Sequence, residues 1–132
     1  DAQTGDVLYI KDGATTGIAA INTYGFEFSL LSSVALIRPN TEKLLPEFLV
    51  AFLNNEANKA ELLKGMAGAA IKRFTLAKIN NFQIPLPPIK LQLKFALFAK
   101  KLKDQRSLVE AQLRVVDELF AALKDRAFNG KL

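Results

Sequence analysis

Cysteine and histidine, two side chains on which much enzyme chemistry depends, are both missing from this 132-residue chain. Their absence rules out a disulfide framework, thiolate or histidine zinc sites, a cysteine nucleophile and a serine–histidine–aspartate triad. There is no P-loop, no dinucleotide-type glycine pattern, and no acid two places before a lysine of the kind many metal-dependent nucleases use. The thirteen carboxylates are scattered, so paired-carboxylate hydrolysis finds no support. No catalytic residues, cofactor or metal are therefore expected. Long apolar runs are also lacking: Pro46 and Glu47 break the richest one, "LLPEFLVAFL", and no basic start leads into an apolar block. No membrane segment and a cytoplasmic location are expected. The chain opens on Asp1 rather than methionine, as expected of a fragment or trimmed product.

Half of the residues are apolar, enough for a real core. The net charge of +5 is unevenly placed. Up to Pro87, eight bases face eight acids; from Pro88 onward, ten bases face five acids, which supplies the whole surplus. Within the neutral part, the window from Lys59 to Lys78 still holds five bases and only Glu61. Such a window suits a phosphate-binding surface, and charge alone fits a solvated helix face equally well.

Short β-rich runs bounded by Gly, Asp, Asn and Pro predict strands near residues 6–10, 17–23 and 32–38. The first two are joined by "KDGATTG", where Gly13 and Gly17 permit positive φ and Lys11, Thr15 and Thr16 bring a charge and two hydroxyls. This connection is either a plain hairpin turn or a loop able to bond phosphates and base edges. Pro46 opens an amphipathic helix that buries Phe48, Leu49, Phe52 and Leu53. A second helix runs from about Glu56 to Lys64 and ends at Gly65, and Thr75 caps a short turn through Ile79. Between these two lies the small-residue stretch "GMAGAAI", with Lys72 and Arg73 directly after it. It reads as a DNA-facing loop containing Gly68 or as a mere surface crossing.

The joint is the most informative segment. "IPLPP" fixes φ repeatedly, and Pro88 opens a helix with no further Gly or Pro until Gly130. A helix over about 89–128 would span about 60 Å. Its apolar stripe, Leu91, Phe95, Phe98, Leu102, then Val109, Leu113, Val116, Phe120, Leu123 and Ala127, follows coiled-coil steps of three and four with one stutter at Arg106. A body of fewer than ninety residues, about 25–30 Å across, cannot cover all of it. Each large side chain is worth about 1.5–3 kcal/mol on burial, so the far half is expected to find a second helix. The fold class expected is α+β: a small mixed α/β domain over residues 1–87 followed by one long coiled-coil helix over residues 88–132. On these patterns alone, a coiled-coil oligomerisation scaffold without DNA binding is the rival function.

The order "GDVLYIKDGATTG", "SSVALIRPN", "PEFLVAFLN", a glycine-rich loop, "LAKINNFQIPLPPIKLQ" and a closing "RAFNGKL" resembles the specificity subunit of type I restriction-modification enzymes. The likeness covers nearly the whole chain. Its most specific parts are Ile84, Pro85, Pro87, Pro88 and Gln92, then Ala127, Phe128, Gly130 and Leu132. It implies a non-catalytic reader of double-stranded DNA: part of one target-recognition domain plus one conserved spacer helix, serving one half of a bipartite site and docking modification (methyltransferase) and restriction subunits. By position, Lys11, Thr15 and Thr16 would belong to one DNA-binding loop, and Gly68, Lys72, Arg73 and Lys78 to a second. Leu102, Val109, Leu113, Val116, Phe120 and Leu123 would form the seam of an antiparallel helix pair with a second copy or second half. Two departures stand out. Leu91 replaces the acid usual before the joint glutamine, and the recognition domain is normally longer, with its first strands before Asp1. An open sheet edge, or a split or truncated subunit, is expected on that account.

Overall fold

The computed structural model describes residues 1–64 and 72–131. Three strands, β1 (Val7–Ile10), β2 (Ala19–Ile21) and β3 (Val34–Ile37), form an antiparallel sheet in the order β2-β1-β3. Four helices follow among the described residues: α1 (Pro46–Asn54), α2 (Glu56–Leu63), α3 (Leu76–Asn80) and α4 (Ile89–Phe128). The class is α+β, and each element falls where the sequence patterns put it. Gly65, expected to cap α2, lies outside the described residues.

The chain divides into two compact units, Asp1–Phe95 and Ala96–Leu132. In the first, alternation along β1 sends Val7 and Tyr9 inward, where they meet Ala19, Ala35, Leu49, Leu53, Phe74 and Ile79. Tyr9, Phe74 and Phe82 form a three-ring cluster with centroids 5.3–5.8 Å apart. Burial pushes the Tyr9 hydroxyl up to about 12, so it stays neutral. In α1, Leu49 and Leu53 are buried, whereas Phe48 and Phe52 are half-buried. Phe48 packs edge-on against Phe95 at 5.7 Å.

Side chains close what the ladders leave open. On the outer edge of β2, the Ala19 N–H donates to Asn54 Oδ1 and Asn54 Nδ2 donates back to the Ala19 carbonyl, both at 2.8 Å. Asn54 thus acts as a one-residue extra strand. No strand pairs with the outer edge of β3 among the described residues. At the base of the sheet, Asp6 is buried and takes a two-pronged contact from Arg38, Nε to Oδ1 and Nη2 to Oδ2, each at 2.7 Å. That contact and the Gln3 N–H hold the Asp6 carboxyl below the usual carboxylate range against the opposing effect of burial.

The start of α4 belongs to the first unit. Gln92 is fully buried, and all of its amide is in use. Its Oε1 accepts from the Leu45 N–H at 2.8 Å, while Nε2 donates to the Lys43 carbonyl at 2.8 Å and the Pro87 carbonyl at 2.9 Å. Leu45 is the N-cap residue of α1 and has no side-chain cap of its own. One amide therefore joins the entry to α1, the proline segment and the first turn of α4.

The second unit is helix over most of its length. Its predicted seam is exposed along its whole run, Leu102, Val109, Leu113, Val116, Phe120 and Leu123 alike. A second exposed row, Leu108, Val115 and Leu119, lies about 100° round the helix from the first. Sequence reading passed over this row, because the search for steps of three and four follows one seam at a time. No helix among the described residues is long and apolar enough to cross a membrane.

Candidate nucleic-acid interface

The hairpin between β1 and β2 narrows through paired backbone bonds, Ile10 N–H to Ile18 carbonyl at 2.9 Å and Gly17 N–H to Ile10 carbonyl at 2.8 Å. Gly13 and Gly17 take φ of +103° and +97°, a conformation that side chains resist and the reason the turn needs glycine at both places. Thr15 and Thr16 sit side by side and face opposite ways. Thr15 is exposed at the tip, whereas Thr16 is buried. The Thr16 hydroxyl lies 2.7 Å from the Gly13 carbonyl and 3.0 Å from the Lys72 carbonyl, a position from which it can donate to either.

That second contact joins two segments more than fifty residues apart. Residues 72–74 lie along the end of β1: Asp12 and Arg73 form an antiparallel bridge, and the Phe74 N–H donates to the Lys11 carbonyl at 2.7 Å. Arg73 Nε stands 3.6 Å from Asp12 Oδ2, an exposed and weak ion pair. Burial of Phe74 in the core pins this segment, so Lys72 and Arg73 are carried on anchored backbone.

A groove of about 590 Å³ opens between the hairpin tip and α2, lined by Thr15, Ile18, Lys59, Leu63, Lys64 and Lys72 among others. Asn55 starts α2 by accepting from the Ala57 and Asn58 N–H groups, which orients the helix bearing the two groove lysines. Lys59 Nζ lies 3.2 Å from Glu56, and Lys64 Nζ 2.8 Å from Glu61. The hydrogen bond to Glu61 raises the Lys64 pKa, so its ammonium stays charged.

Of the residues singled out in the sequence, Lys11, Thr15, Thr16, Lys72 and Arg73 come together at this end of the sheet. Lys78 is exposed in the last turn of α3 and does not line the groove. Gly68 lies outside the described residues. Lys59 and Lys64 also line the groove; both stand in the basic window of the sequence, but charge density along a chain does not say which bases share a groove. Among the described residues, no group of three or more acids is placed to hold a metal ion.

A family model for the type I restriction modification DNA specificity domain matches residues 2–117. The chain belongs to this family. It is also 29% identical over 107 residues to a protein of Methanocaldococcus jannaschii named as the MjaX specificity subunit of a type I restriction enzyme. That alignment takes in 81% of this chain and 24% of the relative, so the chain spans about a quarter of the length of that protein.

Proposed function

We propose that this specificity-domain chain is a non-catalytic reader of duplex DNA in a type I restriction-modification assembly, with residues 1–87 reading and residues 88–132 serving as spacer. The observation that carries the reading is the convergence of the hairpin tip, Lys72 and the lysines Lys59 and Lys64 on one groove, with Arg73 beside Lys72, in a chain of a DNA specificity family. Thr15, Lys72 and Arg73 meet the DNA, Lys11 and Lys78 add positive potential to either side, and Thr16 holds the two loops together. Gly68, which lies outside the described residues, is proposed as a further DNA contact.

The seam from Leu102 to Leu123 pairs antiparallel with a second copy, or with the second half of a longer chain. Two reading heads then serve the two halves of one site. The row Leu108, Val115 and Leu119 stays open when that seam is covered, and offers a face for the methyltransferase and restriction subunits. The assembly works in the cytoplasm. Anisotropy titration of a labelled duplex at several salt concentrations tests the reading: binding should weaken steeply as salt rises and should favour some sequences. Equal affinity for all duplexes would overturn sequence reading, and no binding at low salt would favour the scaffold reading, in which the helix alone is the function.

A further inference from the structure

The polar groups of the α2 groove fall into two kinds. On one wall, the Lys59 stem lies across Gly17: a Cβ on that glycine would stand 3.1 Å from Lys59 Cγ and 3.2 Å from Cδ. Only 22% of the Lys59 side chain is exposed, so its ammonium sits on a braced stem rather than a free one. Lys64, at the end of α2, and Lys72, from the opposite rim, complete a set of three ammonium groups round one groove. Among the described residues, arginine, asparagine and glutamine, which suit two-pronged recognition of base edges, are absent from its lining. An ammonium with three rotatable donors suits a phosphate oxygen instead. The rim also carries Thr15, exposed and without a hydrogen-bond partner for its hydroxyl among the described residues.

We infer, resting on the proposed DNA-binding function, that this groove takes the sugar–phosphate backbone of one strand. Lys59, Lys64 and Lys72 contact phosphates and set the register of the protein on the duplex, while Thr15 at the rim reaches a base edge. Lys59 and Lys64 each already hold a carboxylate, Glu56 and Glu61. Arriving phosphates take over these ammonium groups, so the two acids lower affinity for every duplex alike. Charge and sequence reading are thereby assigned to different residues of one groove.

Salt-dependent anisotropy separates these roles. The probes are two short labelled duplexes, one selected by the unaltered chain from a randomised pool and one scrambled. Lys59→Gln and Lys64→Gln keep the stems, and unchanged thermal melts show that both variants fold. The double variant should weaken binding to both duplexes by the same factor and lower the slope of log affinity against log salt by about 1.8, or about 0.9 for each lost phosphate contact. Glu56→Gln should tighten binding to both. Thr15→Ala should leave the slope unchanged and shrink the preference for the selected duplex about fivefold or more. An unchanged slope in the double variant, or a loss confined to the selected duplex, overturns the inference and leaves the proposed function standing. Failure of the unaltered chain to bind any duplex at low salt overturns the proposed function itself.

Discussion

Replacing Gln92 with alanine removes three hydrogen bonds at once and strands their partners, the Leu45 N–H and the Lys43 and Pro87 carbonyls. At about 1 kcal/mol net for each bond, the loss is about 3 kcal/mol before any cavity is counted. In a unit of this size each kcal/mol is worth about 4–8 °C, so the melt should fall by about 12–24 °C. Near-UV circular dichroism is the suitable assay, because Tyr9 in its ring cluster reports on the first unit while the far-UV signal is dominated by the long α4. Leucine should do little better than alanine, since it fills the space but leaves the same backbone groups unpaired. Glutamate is the sharper variant. It retains an acceptor for the Leu45 N–H, yet when ionised it turns acceptor oxygens toward two carbonyls, and only its protonated form can donate to one of them. Gln92→Glu should therefore be less destabilised, relative to the unaltered protein, at pH 4 than at pH 8. A Gln92→Ala melt within about 1 kcal/mol of the unaltered protein would refute the argument.

The remaining predictions concern contacts that are equally specific. Thr16→Val removes a buried hydroxyl and should cost about 1–2 kcal/mol in urea unfolding, with faster amide exchange at Phe74 as the Lys72 segment loosens. Asn54→Ala should cost about 1–2 kcal/mol and speed amide exchange at Ala19, whose N–H it leaves open to water. The Asp6 carboxyl is held low, so its pairing with Arg38 contributes stability that is fully present above the ordinary carboxylate pKa. That stability is lost as pH falls through the lowered value. Asp6→Asn should accordingly melt lower than the unaltered protein at pH 7, and the gap should close in strong acid. Val116→Lys should shift light scattering toward the single chain if the exposed seam is what pairs; an unchanged mass would place the pairing elsewhere.

Local patterns carried most of the architecture. Alternation in "VLYI" and "VALI", Pro46 at the start of α1, Thr75 accepting from the Lys78 N–H, and forty residues of good helix formers after Pro88 each act within a few neighbours. The parts that escaped reading are long-range bonds between side chains and backbone. Nothing near Thr16 distinguishes it from Thr15; what turns it inward is a carbonyl at position 72. Asn54 looks like a helix-end residue until Ala19 is placed beside it. Gln92 stood out only as part of a family resemblance, and its three partners, spread from Lys43 to Pro87, show why an amide suits that place. The meeting of the hairpin with residues 72–74 is the same kind of fact, and the groove depends on it.

Both the proposed reading surface and the proposed spacer bear on one measurement, the selection of duplexes by the unaltered chain from a randomised pool. If two copies pair antiparallel through α4, a two-fold axis relates the heads. The recovered sequences should then contain two inverted copies of one short motif separated by a constant gap. Recovery of a single motif would assign the pairing to the second half of a longer chain, whereas paired motifs at freely varying distances, or no preferred motif, would contradict the account.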